Sequence, residues 1–145
     1  MIEITHFQRH LQHLRASDWA QLFSLLPEIE RTQKFGEIEG AQTQADGSLI
    51  MPYWNSGEIV DTTMKLINQL QLYPIFDWVN WKEGQSMLSE KNLSFSELDI
   101  EILCKLLTII IRKDRFQDGF LISCFKTGLM YNILKGIQNQ VQKTN

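Results

Sequence analysis

The stretch SFSELDIEILCKLLTIIIR, residues 94–112, decides the reading of the fold. From Ile100 to Ile111 it is apolar on almost every face, and Lys105 and Arg112, seven residues apart, occupy the remaining strip. A helix with so little polar surface belongs in the centre of a domain. Thr108-Ile109-Ile110-Ile111 alone would suit a strand, but its continuity with a capped segment favours helix. Ser94 and Glu97 have capping-box spacing and predict where that helix begins.

Outward from this centre, Lys113 to Gly119 is a polar break. A final helix is predicted from about Asp118 towards Gln140, with Ile122, Phe125, Leu129, Ile133 and Ile137 along one face. Gly128 and Gly136 lie inside it, where close approach of a neighbouring backbone is the usual reason for glycine. Upstream, Asn55 to Leu72 reads as a helix with Val60, Met64, Ile67 and Leu70 inward. Asn55 and Glu58 have capping-box spacing, and Pro74 ends the helix. Ile75 to Trp81 is dense in aromatics and reads either as a short strand or as a helical turn capped by Asp77. Between Phe35 and Trp54, two alternating stretches flank Asp46-Gly47, a strong turn signal, and predict an antiparallel hairpin. Pro52 places its strand at an edge or ends the pairing. A helix beginning at the cap residue Ser17 is predicted to carry Trp19, Leu22 and Leu26 inward, and Pro27 opens a fresh helical turn. Ile4, Phe7, Leu11 and Leu14 give the first residues a helical period.

The expected fold is therefore α+β and mostly helical, a single domain with a small antiparallel hairpin packed on about five helices. Residues 1–16 read as an additional N-terminal helix, 17–141 as the globular domain and 142–145 as a frayed tail. At 145 residues and 17.0 kDa the chain suits one domain. Hydrophobic residues at 43% provide a core and exclude general disorder. A formal net charge of -3 argues against a strongly basic nucleic-acid binder. Cys104 and Cys124 are too few for a disulfide scaffold or a four-cysteine zinc site, and suit a reducing, cytosolic setting. No apolar run is long enough for a membrane span.

Taken together, Leu26-Pro27-Glu28-Ile29-Glu30, Phe35-Gly36, Met51-Pro52-Tyr53 and Phe76-Asp77-Trp78 resemble a bacterial family known as domain of unknown function 6508. The most specific stretch runs from Ile111-Arg112-Lys113-Asp114-Arg115-Phe116-Gln117-Asp118 to Gly119, followed two helical turns later by Gly128. The resemblance spans about Leu26 to Ile137 and implies a domain but no mechanism. In the family pattern a Cys often stands at the position of Gln117 and a His at that of Phe120. This chain has neither, so the resemblance implies no Cys/His chemistry there.

Candidate chemistry is sparse. Asp114, Arg115 and Asp118 cluster on the turn between the two most apolar helices. Arg115 is either a fork for a phosphate or carboxylate or a structural partner of a carboxylate, partly buried, with Asp118 capping the last helix. The structural role is favoured. Asp77 between Phe76 and Trp78 is either a carboxylate of raised pKa or, more simply, a cap. Tyr53, Trp54, Trp78 and Trp81 supply either a stacking platform or core volume, with core favoured. His6, His10 and His13 share a helical face, yet no acidic residue or Cys adjoins them, so a solvated face is favoured over a metal site. Residues 1–101 hold 7 Lys+Arg and 15 Asp+Glu, or -8, and residues 102–145 hold 7 and 2, or +5. Packing of the basic half on the acidic half explains this better than nucleic acid does.

The expectation is a cytosolic, non-catalytic binding or protein-interaction domain without metal or cofactor, with the N-terminal helix as a surface for a partner or a second copy. The alternative is a small-ligand-binding protein or an enzyme for an anionic, nucleotide-like substrate. Its site would join Arg115 and Asp114 or Asp118 to Asp77, Trp78 and Tyr53.

Overall fold

In the computed structural model, which describes residues 2–40, 42–90 and 93–143, the N-terminus is tied to the middle of the sequence. Ile75 N–H donates to Ile2 O at 2.8 Å and Ile4 N–H to Ile75 O at 3.0 Å. Helix α1 (Ile4–Gln12) follows, with Phe7 and Leu11 buried. Phe7 has no exposed surface, so the apolar face of this helix is used inside the domain. His10 adds a 2.7 Å bond from Nε2 to the Leu70 carbonyl. Helices α2 (Ala16–Phe23) and α3 (Leu26–Arg31) are separate, and Pro27 sits in the first turn of α3, where no N–H is needed. The cap of α2 falls at Arg15 rather than at the expected Ser17. The Asp18 carboxylate reaches back to the Arg15 N–H at 2.9 Å, which satisfies the donor one turn earlier.

Strands β1 (Gly36–Glu39) and β2 (Tyr53–Ser56) pair antiparallel, with Gly36 opposite Ser56 and Ile38 opposite Trp54. Asp46-Gly47 forms the turn at the tip, Gly47 having φ +88°, and Thr43 bridges Leu49 just inside it. Pro52 precedes β2, so its missing donor interrupts the ladder there, and pairing resumes towards the tip where Ile50 N–H donates to Gln42 O at 3.1 Å. The register runs on to Ser56 and draws Asn55 into the sheet instead of a cap. Gly57 precedes α4 (Glu58–Leu70) in its place, donating its N–H to Phe35 O at 2.7 Å. Residues 75–81 are neither strand nor helical turn; beyond the Ile75 bridge they form a loop. Helix α5 (Lys82–Ser89) follows; it escaped the sequence reading because it buries only Gly84 and shows no apolar stripe.

Ser94 and Glu97 open a single 3-10 turn (Phe95–Glu97), not the central helix. Helix α6 (Ile100–Asp114) starts after an extended Asp99. Leu103, Cys104, Leu106, Leu107, Ile109 and Ile110 are fully buried in it. It packs on α5 and on the two C-terminal helices. Those are α7 (Phe120–Lys126) and α8 (Leu129–Lys143), where one continuous helix was expected. The break is Gly128, whose φ of +84° places it in the left-handed region that ends helices. Nothing crowds Gly128, whereas a Cβ on Gly136 would lie 2.8 Å from the Phe95 carbonyl oxygen. Of the two glycines, only Gly136 therefore marks the expected close approach. Helix α8 continues to Lys143; Thr144 and Asn145, in the tail expected to fray, lie outside the described residues.

The hairpin is seated on α7 and the turn before it. A Cβ on Gly36 would meet the Ile122 side chain at 2.7 Å, and one on Gly119 would meet the Trp54 indole at 2.2 Å. Gly119 also holds φ +83°, so space and backbone both require glycine there. The architecture is α+β and mostly helical, with one small antiparallel sheet on the helices.

Gly136→Ala tests the packing of α8 on the 3-10 turn. The substitution gains about 1 kcal/mol of helix propensity, but overpacking against backbone costs about 1–3 kcal/mol. The clash should win. Urea unfolding should show a lowered midpoint at unchanged slope.

Candidate functional site

A polar strip begins at Glu101 in the first turn of α6 and continues through Lys105, Thr108 and Arg112 to Arg115 at the C-cap, at helical spacings of four, three, four and three. It meets the aromatic loop. The Lys105 ammonium lies 4.7 Å from the centre of the Phe76 ring and 4.2 Å from a Trp81 ring. Those two rings meet edge to face at 5.6 Å. Thr108 Oγ1–H donates to the Pro74 carbonyl at 2.8 Å, fully buried. From the other side Gln85 Nε2 donates to Val79 O at 2.9 Å, and Asn80 Nδ2 donates to the Asp77 carboxylate at 2.7 Å. A loop of seven residues is thus pinned at both ends and across its middle.

Beyond the pinned region the strip opens into a cleft of about 600 Å³, lined by Ile75, Phe76, Trp78, Val79, Thr108, Arg112, Arg115 and Phe116. Two guanidinium side chains face apolar and aromatic walls, and none of the lining residues is acidic. Phe116 keeps 83% of its surface in water, and Ile75 and Val79 are also exposed. A second groove of about 460 Å³, between α1, α2 and α8, is lined by leucines, glutamines, Trp19 and Asp99, with no cation.

The structure divides the sequence candidates. Arg115 and Trp78 share the cleft, and Asp77 adjoins it in the chain while its carboxylate is held by Asn80. Asp114 accepts a 2.9 Å bond from the Leu121 N–H and so serves the start of α7, the task expected of Asp118. Asp118 is exposed. Asp114 does this because it lies at the end of α6, seven residues back across the turn from Leu121. Arg115 was expected partly buried and paired; it is exposed, and no described side chain bonds its guanidinium. Its side chain lies along the apolar wall of an open cleft with the guanidinium in water, so solvent takes the place of a protein partner.

Tyr53 lies elsewhere, on the outer face of the hairpin. Its hydroxyl donates to Glu39 at 3.0 Å, which holds the phenol above its ordinary pKa. The four aromatics considered as a platform are dispersed: Trp54 covers Gly119, Trp81 stacks under Lys105, Tyr53 faces solvent, and only Trp78 enters the cleft. His10 and His13 each bond a backbone carbonyl. Among the described residues no group of three or more His, Cys, Asp and Glu could hold a metal ion. Arg112, Phe116 and Val79 were not singled out as site residues. The available signal was the spacing from Lys105 to Arg112, which extends by three to Arg115.

Both cysteines are buried and free. Burial raises the Cys104 thiol far above its ordinary value and pushes Cys124 up to about 12. Neither is a nucleophile at neutral pH.

The fold and the cleft define a small, mostly helical α+β domain with a basic, aromatic recess at one end of its central helix. The profile of a family of unknown function, DUF6508, matches residues 14–143, and the chain belongs to that family. No curated protein and no solved structure matches it. Helix α1 precedes the matched residues, although Phe7 is part of the core. Among the described residues no helix is long and apolar enough to cross a membrane.

Three measurements follow from this geometry. Arg115→Ala should change stability by no more than about 0.5 kcal/mol, as an exposed and unpaired side chain does. Thr108→Val should cost about 1–3 kcal/mol by stranding the Pro74 carbonyl, and should shift tryptophan emission as the loop loosens. Titration with a thiol reagent at pH 8 should find no reactive thiol in the folded chain and both after denaturation.

Proposed function

We propose that this chain is a non-catalytic binding domain. Its docking site is the cleft between the end of α6 and loop 75–81, and its partner is an anionic protein segment with apolar side chains. The observation that carries the reading is the lining: Arg112 and Arg115 beside Trp78, Phe76 and an almost fully exposed Phe116. Arginine and large aromatics are enriched among the residues that dominate protein interfaces. An exposed guanidinium meets a carboxylate as a bidentate pair, which gives direction to an otherwise apolar contact.

A non-catalytic role is supported by the chemistry of the same lining. Its one hydroxyl, on Thr108, is committed to the Pro74 carbonyl, and no lining group is a base at neutral pH. The pinned loop also favours binding, because a site held in shape loses less entropy on association. A bacterial cytoplasm is the setting we propose, in keeping with the two unpaired thiols. A small anionic ligand with a flat ring is the second reading, favoured by the Trp78 and Phe76 rings beside Arg115.

Fluorescence anisotropy with two labelled peptides tests the proposal, one alternating Glu and Phe and the other alternating Lys and Phe. The acidic peptide should bind at least tenfold more tightly. Arg115→Ala and Trp78→Ala should each weaken it about tenfold, equivalent to about 1.4 kcal/mol. Equal affinity for the two peptides, or variants that bind like the parent, would overturn it. Quenching by AMP that depends on Arg115, without peptide binding, would select the small-ligand reading.

A further inference from the structure

Eight large hydrophobic side chains are exposed among the described residues, and they fall on two patches. Ile75, Val79 and Phe116 belong to the cleft. Ile38, Leu49, Ile50, Met51 and Tyr53 belong to the hairpin, with Met51 at 74% and Ile38 at 60% exposure. Clustered apolar exposure of this kind marks an interaction surface. The patches also differ in charge. Residues 36–56 carry Glu37, Glu39 and Asp46 and no Lys or Arg. Lys34 offsets Glu37 through a 2.8 Å pair, which leaves Glu39 and Asp46 to set the sign. The cleft carries Arg112 and Arg115 and no acidic lining residue.

We infer that the partner for the cleft is the β-hairpin of a second copy of this chain. This rests on the reading of the cleft as a docking site for an anionic, apolar segment, and names that segment. The hairpin supplies both properties on one strand pair. Ile50 and Met51 offer apolar contacts for Phe116 and Val79. Glu39, whose carboxylate accepts from the Tyr53 hydroxyl and from Asn55 Nδ2 at 3.0 Å each, keeps its charge and remaining lone pairs for Arg115.

The placement of the two patches favours a closed dimer over a chain of copies. Trp54, at the hairpin stem, is seated against Gly119, three residues from Phe116. Hairpin and cleft therefore flank one turn. A two-fold axis beside that turn can set each hairpin over the other copy's cleft, so that the contact is made twice and closes on itself. Contacts between copies in one direction only would leave one patch open at each end and continue into a filament.

Sedimentation velocity on the full chain, with the labelled acidic peptide in parallel, tests this. The parent should reach twice 17.0 kDa at tens of micromolar. Arg115→Glu alone, Glu39→Lys alone and Met51→Asp alone should each weaken the dimer at least tenfold, with circular dichroism confirming a folded chain. A mixture of Arg115→Glu and Glu39→Lys chains should recover the dimer, because one contact is then native and the other has its charges exchanged. A parent that stays at 17.0 kDa up to several hundred micromolar overturns the inference. So does a dimer indifferent to these substitutions, or a mixture that fails to recover while Met51→Asp leaves the parent dimer intact. If the parent is monomeric yet binds the acidic peptide through Arg115, the docking site stands and only the second copy falls. If it does neither, both fall.

Discussion

A helix that is apolar nearly all round has to be covered on every side, and α6 imposes that condition on the rest of the chain. Seven of its residues, Thr108 among them, are buried. Helices α7 and α8 cover part of it and α5 another part. The remaining strip cannot be given to a hydrophobic neighbour, because Lys105, Thr108, Arg112 and Arg115 stand along it. Burying a charge or hydroxyl without partners is costly. Loop 75–81 and the Pro74 that precedes it resolve this by bringing groups of the right kind: aromatic faces for the ammonium and the Pro74 carbonyl for the hydroxyl.

Cleft and pinned loop are therefore two parts of one arrangement. Where the strip is deep in the domain, its polar groups find partners in the loop and hold it still. Where the strip reaches the end of α6, it emerges into solvent and the same loop becomes a wall. Rigidity and accessibility come from successive turns of one helix. Interfaces are built most readily on such elements, since little ordering remains to be done when the partner arrives.

The turn after α6 carries a second consequence. Asp114 satisfies the N–H of Leu121, Gly119 in the left-handed region lets the chain reverse, and the Trp54 indole fills the space that a side chain at 119 would need. The hairpin is thereby anchored by its stem while its tip projects. A two-stranded sheet is marginal by itself, and here Ile122 and the Gly119 backbone provide the support. Leu49, Ile50 and Met51 lie beyond that anchor towards the tip, whereas Ile38 and Tyr53 stand beside it.

Much of this was written in the sequence. The apolar run after Ile100, the hairpin around Asp46-Gly47, the helix ending before Pro74 and the helical turn opened by Pro27 rest on periodicity and on the fixed geometry of Gly and Pro, which act locally. Element ends were less legible. Asn55, Ser17, Ser94 and Gly128 each suit more than one local role, and strand register, a competing carboxylate or a left-handed backbone made the choice. The candidate site was legible only in part. Spacing placed Lys105 and Arg112 on one face, and composition drew attention to Arg115 and Trp78. That Asp114 rather than Asp118 serves α7, that Tyr53 lies apart on the hairpin, and that Phe116 stands in water depend on where a turn points. The direction of a turn is set by contacts between residues distant in the chain, such as Trp54 with Gly119 and Thr108 with Pro74. Local pattern carries no record of those distances, so only the folded chain decides them.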